Sequence, residues 1–190
     1  MHILPMTLQL PRGQTCEIRE AEPDDAAALI QYVERASGES DFLLFGPGEF
    51  EMTEDRERDF LLEFRESDRA LYLVAVIGGE FVGALTFQAG ARPRTHHAGE
   101  FGMSVRRDWW GHGIGGGLLD ALLAWSANGG LIGRVNLRVR TDNDAAIALY
   151  RSRGFEIEGT IRDQFRLEGK SFDFHVMGRS VGTGDPPNTA

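Results

Sequence analysis

Five of the seven residues from Gly111 to Gly117 are glycine, and they lie between an apolar, strand-like run and an amphipathic helical pattern. The first amides of a helix have no partner within the helix, so a helix start readily binds an anion. Residues without side chains also let a phosphate approach the backbone and allow positive φ angles. The cluster therefore predicts a phosphate-binding turn, with a tight turn packed by small residues as the alternative.

Three classes of phosphate-binding turn are rich in glycine, and the surrounding residues help to separate them. No lysine follows these glycines, so a nucleoside triphosphate loop is poorly supported. The spacing from Gly111 to Gly116 fits the Gly-x-Gly-x-x-Gly of a dinucleotide fold. That fold also requires an acidic residue about 20 positions further on, and 131–140 contains none. A site for the pyrophosphate of coenzyme A is the third class.

A second group of residues, Asn143, Ala146, Ile147 and Tyr150, shares one stripe of a predicted helix that Gly154 can terminate. The stripe is about two turns, or roughly 10 Å, long and presents an amide, small or aliphatic side chains and a phenol. Taken alone, Asn143 is most simply a helix cap. Tyr150, taken alone, is most simply a core residue with its hydroxyl at the surface.

The spacing of apolar residues predicts the elements that position these groups. Acidic first turns at Pro23 and after Thr53 are typical of helix starts, and Gly78-Gly79 joins two strand-like runs into a hairpin. Strands are expected at 16–22, 71–77, 81–87, 100–105, 135–139, 155–167 and 172–177, with two helices before the hairpin, one after the glycines and one over 143–152. This order indicates a mixed α+β fold, not a doubly wound sheet.

The two blocks together resemble the GNAT (GCN5-related N-acetyltransferase) superfamily, over roughly Ile18 to Arg179. Val105 to Gly115 is similar to the family's acyl-CoA motif, Gln/Arg-x-x-Gly-x-Gly/Ala, with Trp110 where the family usually has Gln or Arg. Asn143 to Phe155 is similar to the family's later helix and following strand. The resemblance implies a mostly antiparallel, centrally splayed sheet of about six to seven strands flanked by about four helices, and an N-acetyltransferase that uses acetyl-CoA.

The resemblance also implies which residues meet acetyl-CoA. The gap between the splayed strands would accept the pantetheine arm, and strand backbone would pair with it as a missing strand does. Tyr150 would protonate the departing thiolate, a backbone N–H near Met103 would stabilise the oxyanion, and His112 or Arg107 would compensate for Trp110. The expected cofactor-binding residues are Met103, Val105, Trp110, Gly111, His112, Gly113, Gly115, Gly116 and Asn143, and no metal is expected.

Transfer to an amine needs a general base, because an alkyl amine with a pKa of about 10.4 is almost wholly protonated at neutral pH. Glu100, on the strand that in the family runs beside the thioester, is the first candidate, with a solvated carboxylate as the alternative. The face of the sheet to which the Glu100 side chain points depends on whether Gly102 forms a bulge. His96 and His97 are the competing bases, although adjacent loop histidines are more often exposed or in contact with substrate.

The acceptor site is expected in the least patterned segments, 38–51, 89–97 and 165–174. Carboxylates and phenyl rings there would receive a cationic amine, and solvated loops are the alternative. The acceptor amine is left open between a peptide N-terminus, a lysine, a polyamine and another small amine. The segment 38–51 contributes Glu39, Asp41, Phe42 and Phe45. A homodimer through the edge hairpin is suggested by the alternation of Phe172, Phe174 and Val176.

The composition limits the partners and the compartment. The chain has 20 Lys+Arg against 29 Asp+Glu, a net charge of −9, which disfavours nucleic acid. Cys16 is the single cysteine, so neither an intrachain disulfide nor a Cys/His metal set can form. No apolar run approaches the roughly 20 residues of a membrane span and no secretory signal is evident. We expect a cytoplasmic enzyme without a membrane partner, with one domain over 1–181 and a disordered tail over 182–190. The alternatives to an N-acetyltransferase are a non-catalytic acyl-CoA-binding module and a dinucleotide-dependent oxidoreductase.

Overall fold

A computed structural model describes residues 5–182, without the side chain of Arg12, so the tail expected at 182–190 lies outside the described residues except for Gly182. The described chain forms one eight-stranded sheet with four α-helices. The strands are β1 Met6–Gln9, β2 Thr15–Glu20, β3 Ala70–Ile77, β4 Glu80–Ala89, β5 Ala98–Val105, β6 Arg134–Arg140, β7 Glu156–Leu167 and β8 Lys170–Ser180. The helices are α1 Ala26–Ser37, α2 Glu54–Glu66, α3 Ile114–Gly129 and α4 Asp144–Ser152.

The predicted mixed fold is confirmed, with one strand more than expected. Strand β1 was not predicted, because four residues are too few to show a clear alternation. The local signals at the helix ends are confirmed: the Thr53 hydroxyl accepts from the Arg56 amide at 3.4 Å at the start of α2. Gly154 has a φ of 78° just after α4, the left-handed conformation expected at a helix end.

The sheet opens between its two central strands. The strand order is β1-β2-β3-β4-β5-β6-β8-β7, and every neighbouring pair is antiparallel except β5 and β6. Pairing of β5 with β6 ends at Glu100 and Asn136, although β5 continues to Val105 and β6 to Arg140. The unpaired ends leave a V-shaped gap, which confirms the predicted central splay.

Two apolar clusters cover the two faces of the sheet. On one face, α3 and α4 pack through fully or largely buried residues such as Leu118, Leu122 and Tyr150. On the other face, α1 and α2 pack through Leu29, Leu61 and their neighbours. We call these the α3/α4 face and the α1/α2 face. No helix within residues 5–182 is long and apolar enough to cross a membrane.

Candidate active site

The glycine turn connects the open end of β5 to the start of α3. Gly111 and Gly113 have φ angles of 76° and 87°, which an L-residue adopts only with strain. Gly113 is the N-cap of α3 and no side chain caps the helix. The Gly117 amide donates to the Gly113 carbonyl at 3.0 Å, so the amides of the three residues between them lie in the first turn without an intrahelical partner. The turn thus presents the donors that an anion requires.

The later glycines of the cluster lie in close packing, most tightly at Gly117. A Cβ at Gly115 would lie 3.3 Å from a methyl of Leu149, and one at Gly117 would lie 2.4 Å from a methyl of Leu8. At Gly116 it would lie 2.6 Å from the Arg153 guanidinium. The glycines thus have two structural roles: the first ones allow the left-handed turn, and the later ones let α3 pack closely. Phosphate binding at the turn stays a prediction.

Trp110 ties the turn back to the strand. Its indole Nε1 donates to the Val105 carbonyl at 2.7 Å, while its ring remains 46% exposed. The Arg107 guanidinium lies 5.7 Å from the centre of that ring, and His112 Nδ1 is 3.0 Å from the Trp110 carbonyl. Where the family usually has Gln or Arg, this chain therefore has a side chain that fixes the turn through a strand carbonyl. Contact of Trp110 and His112 with the cofactor stays a prediction.

The open edge of β5 has free backbone groups. The Arg106 amide donates to the Val82 carbonyl at 2.9 Å, and the Ala98 carbonyl accepts from Gly90 at 3.0 Å. Because bonded pairs alternate along an antiparallel ladder, the even-numbered residues of β5 pair with β4, and Met103 and Val105 direct their backbone groups toward the gap. The Val105 carbonyl is occupied by Trp110, so the Met103 groups and the Val105 amide line the gap.

Tyr150 lies beneath the gap on the α3/α4 face. The ring is buried and meets Phe101 and Phe155 edge to face, with ring centres 5.7 and 6.2 Å apart. Burial raises the pKa of Tyr150 to about 12, so the phenol is protonated at neutral pH. Its helix starts at Asn143, whose side chain accepts from the Ala146 amide at 3.2 Å. Asn143 thus acts as a helix cap, and its contact with cofactor stays a prediction.

Glu100 lies on the opposite face from Tyr150. The register between β4 and β5 has no shift, so Gly102 forms no bulge and Glu100 points to the α1/α2 face together with Ser104. Ser104 identifies that face, because its hydroxyl lies 2.8 Å from the hydroxyl of Tyr32 on α1. The two predicted catalytic residues therefore approach the gap from opposite sides of the sheet.

The Glu100 carboxylate has a partner that sequence reasoning missed. Its Oε1 accepts from Nε of Arg138 at 2.8 Å, and the two side chains are 47% and 48% exposed. Arg138 lies on β6 two residues beyond Asn136, the last residue paired with β5. The ion pair thus spans the point where the strands separate. The alternation of Asn136, Arg138 and Arg140 along β6 was the available signal, since it puts these polar residues on one face.

The histidine pair lies at the closed end of the gap. The His97 carbonyl accepts from the amides of Gly133 and Arg134 at 2.8 and 3.1 Å, which ties the loop to the start of β6. His96 is half-buried and His97 exposed. Among residues 5–182, no three His, Cys, Asp or Glu side chains lie together as a metal site would require. The histidines therefore lie beside the paired part of β5 and β6, and which of the candidates is the base stays a prediction.

Arg140 joins two of the three segments expected to form the acceptor site. It is only 6% exposed and forms a two-point ion pair with Asp142, at 3.0 and 2.6 Å. Its Nη1 donates to the Asp41 carbonyl at 2.7 Å, which fixes the segment 38–51 beside the end of β6. The rings around the guanidinium, at 4.7, 5.4 and 3.7 Å from their centres, are Phe42, Phe165 and Phe172.

Two other residues of the segment 38–51 face elsewhere. Glu39 accepts from the Arg107 amide at 2.8 Å and lies 3.5 Å from the buried Arg106 guanidinium. Phe45 packs on Phe50, with ring centres 5.5 Å apart. Glu39 therefore holds the end of β5 and the residues just before the glycine turn. Asp41 and Phe42 contact Arg140 at the end of β6.

The fold and site are those of an acyltransferase, and comparisons with known proteins give the family. The chain matches the model of the acetyltransferase (GNAT) family over residues 28–155. A match of this extent shows that the chain belongs to the acetyltransferase (GNAT) family. The enzyme is thus an acyltransferase, as its sequence predicted.

Individual relatives agree with this assignment. The chain is 35% identical over 123 residues to the L-amino acid N-acetyltransferase AaaT of Escherichia coli, covering 64% of this chain and 76% of that protein. It is 40% identical over 115 residues to the N-alpha-acetyltransferase RimI of Mycobacterium tuberculosis, covering 60% and 68%. A crystal structure of a GNAT-family acetyltransferase from Streptococcus pneumoniae aligns with a TM-score of 0.85 at 33% identity, covering 88% of this chain and 99% of that one.

Proposed function

We propose that this enzyme transfers an acetyl group from acetyl-CoA directly to a primary α-amine, with both substrates bound at once. The observation that carries this proposal is the gap between β5 and β6, which Glu100 flanks from one face and Tyr150 from the other. An amine arriving from the α1/α2 face and a thioester held within the gap would meet at this opening. Only there can groups on the two faces act on one pair of reacting atoms.

The residues present fit acetyl-CoA. The first-turn amides of α3, at Ile114, Gly115 and Gly116, would hold the pyrophosphate, and the left-handed glycines Gly111 and Gly113 leave room for it. The carbonyl of Met103 and the amide of Val105 would pair with the pantetheine arm as a strand edge pairs with a peptide. Acetyl-CoA supplies the acetyl group as a thioester, which an amine can attack.

Glu100 is proposed as the general base. Its carboxylate would take the proton that an ammonium must lose before nitrogen can attack, and half of the side chain is exposed, so the proton can pass on to water. The Met103 amide, directed into the gap, would donate to the carbonyl oxygen as negative charge develops there. The base would thus act on the attacking nitrogen, and the donor on the oxygen of the carbonyl group that it attacks.

Tyr150 is proposed to stabilise the leaving sulfur. A phenol with a pKa of about 12 is a weaker acid than a thiol, whose pKa is about 8.5. Complete proton transfer from Tyr150 to a thiolate is therefore uphill, and a hydrogen bond from the phenol to the sulfur is the better supported role. This refines the sequence-based expectation that Tyr150 protonates the thiolate.

The acceptor class is proposed from chemistry that two relatives share. The names of both, an L-amino acid N-acetyltransferase and an N-alpha-acetyltransferase, denote acetylation of an α-amine, which is bonded to the carbon next to a carbonyl carbon. An α-amine is therefore favoured over a lysine side chain or a polyamine. Dimerisation through the β7–β8 hairpin and a cytoplasmic location stay predictions.

The test is an amine panel assayed by release of free coenzyme A, preceded by thermal shift. Acetyl-CoA at 100 times its dissociation constant should stabilise the protein by about 2.7 kcal/mol. The panel then tests each acceptor separately: amino acids, short peptides, a lysine derivative blocked at its α-amine and a polyamine. Release of coenzyme A is expected with the acceptors that carry a free α-amine. Stabilisation without release from any amine would favour the non-catalytic module. Stabilisation by a nicotinamide dinucleotide alone would favour the oxidoreductase.

A further inference from the structure

We infer that Arg138 is the specificity residue for the acceptor and binds a carboxylate, so that the acceptor is a free α-amino acid and not a peptide N-terminus. This inference rests on the proposed acetyl transfer and adds to it a named group on the acceptor. It follows from the position of Arg138 at the gap, from its unpaired terminal nitrogens and from its contact with the carboxylate of Glu100.

Arg138 lies where an acceptor must enter. It projects from β6 on the α1/α2 face, just beyond the last residue of β6 that pairs with β5. Across the opening it contacts Glu100, the proposed base, at 2.8 Å. A group bound to Arg138 is therefore held within one side-chain length of the carboxylate that takes the amine's proton.

The Arg138 guanidinium has donors to spare. Only its Nε has a partner among the described residues, the Glu100 carboxylate, while its two terminal nitrogens make no hydrogen bond with residues 5–182. The flanking arginines on the same face differ. Arg140 is bound by Asp142 and the Asp41 carbonyl, and Arg134 by Glu158. Of the three, Arg138 is the one with both terminal nitrogens free of partners among residues 5–182, as a two-point bond to a carboxylate requires.

The pair of charges matches an α-amino acid. The ammonium and carboxylate of an amino acid are joined through one carbon, so a bound one presents opposite charges side by side. Glu100 and Arg138 present the complementary charges in contact. A carboxylate bound by the planar guanidinium through two parallel hydrogen bonds would leave the ammonium beside Glu100. A peptide offers a neutral carbonyl at the same position and would lose the charged interaction.

Binding at the terminal nitrogens leaves the base in place. Glu100 Oε1 stays bound to Nε of Arg138, while its Oε2 has no hydrogen-bond partner among residues 5–182 and can accept the proton of the ammonium. The proton then passes from nitrogen to Glu100 and on to water. Arg138 would thus bind the substrate carboxylate and orient the base at the same time.

The experiment compares acceptors that differ only in the carboxylate. The wild-type enzyme, saturated with acetyl-CoA, is assayed with an amino acid that it accepts, with the same amino acid as its carboxamide and with the corresponding decarboxylated amine. A hydrogen-bonded charge pair is worth about 10- to 100-fold, so kcat/KM for the amino acid should exceed the other two by that factor. Arg138→Gln should remove the preference, so that within this variant kcat/KM for the amino acid falls to about that for the carboxamide.

Arg134→Gln is the matched control. Arg134 lies on the same strand and face and also pairs with a glutamate, but four residues away, about 13 Å, where β5 and β6 are still joined. It should keep the wild-type preference. Arg138→Lys, which keeps the charge without the planar fork, should give an intermediate preference. Calorimetry of the amino acid with enzyme loaded with coenzyme A should show the same loss of affinity in Arg138→Gln, independently of turnover.

The outcomes separate this inference from the proposed function. Coenzyme A release that is equal for acid, carboxamide and amine would overturn the role of Arg138 and leave acetyl transfer intact. A carboxylate preference that survives in Arg138→Gln would overturn it as well. No release with any amine would overturn the proposed function and this inference with it.

Discussion

The two faces of the central gap are built in different ways. On the α3/α4 face, the turn at Gly111 to Gly117 and the helix that carries Tyr150 are each continuous in sequence and packed into one apolar cluster. On the α1/α2 face, Glu100 and Arg138 come from different strands. Arg140 there contacts a loop, its own strand end and a hairpin. One face is made of local motifs and the other of long-range contacts.

In the proposed mechanism, this difference separates the binding of acetyl-CoA, the same in every reaction of this kind, from the recognition of the acceptor amine. A donor with a fixed shape can be bound by backbone amides and a strand edge, which depend on backbone conformation more than on side-chain identity. An acceptor must be recognised by side chains, and those on the α1/α2 face are polar, partly exposed and held by ion pairs. We therefore expect substitutions on the two faces to change different kinetic constants.

The largest effect is expected from Glu100→Gln. Loss of the proposed base should lower kcat by about 10²- to 10⁴-fold, while the dissociation constant of acetyl-CoA, which we propose is bound by the glycine turn and the backbone of β5, should change little. Steady-state rates of coenzyme A release and a separate titration of acetyl-CoA measure the two quantities. Glu158→Gln, which removes a glutamate that also pairs with an arginine of β6, is the control and should retain activity. Equal losses in both variants, or weaker acetyl-CoA binding in Glu100→Gln, would contradict the assignment of functions to faces.

The features that could be predicted from the sequence are the local motifs, and those that could not are the long-range contacts. The glycine turn, the cap at Asn143 and the end of α4 at Gly154 were predictable because each depends on a few adjacent residues. The Glu100–Arg138 pair was not, since a strand register that places two residues side by side is decided by the whole sheet. Trp110 shows the same limit. Its departure from the family motif was evident, but its bond to the Val105 carbonyl depends on how the turn folds back.

An intermediate effect, a loss of acetyl-CoA affinity, is expected from Gly113→Ala. At a φ of 87° a Cβ costs about 1–2 kcal/mol, and relief of that strain would misalign the first amides of α3. We expect acetyl-CoA affinity to fall about 5- to 30-fold, with KM for the amine unchanged. Gly130→Ala is the matched control, because Gly130 ends the same helix with a φ of 65° and, like Gly113, has nothing within 4 Å of an added Cβ. Similar loss of affinity in both variants would show that helix stability, not the turn, is responsible.

The smallest effect is expected from replacing a buried tyrosine by phenylalanine, and it is measured as a change in the free energy of unfolding. Tyr150 on the α3/α4 face is compared with Tyr32 on the α1/α2 face. Burial raises the pKa of Tyr150 to about 12 on the α3/α4 face and raises the pKa of Tyr32 on the α1/α2 face. Above pH 10 the unfolded chain loses phenol protons that the folded chain keeps, so the free energy of unfolding should fall as pH rises. In Tyr150→Phe this fall should be less steep between pH 10 and 12, by up to about 1.4 kcal/mol per pH unit.

At pH 7 the same two phenols should behave differently. The Tyr32 hydroxyl donates to the Ser104 carbonyl at 3.0 Å, so Tyr32→Phe should lower the free energy of unfolding by about 1 kcal/mol. The Tyr150 hydroxyl makes no hydrogen bond with residues 5–182, so Tyr150→Phe should leave stability nearly unchanged while impairing catalysis. Urea titrations at pH 7, 10 and 11 measure both effects. A loss of 1 kcal/mol or more in Tyr150→Phe at pH 7 would show that its hydroxyl is committed to the fold, and the phenol could then not serve the departing sulfur.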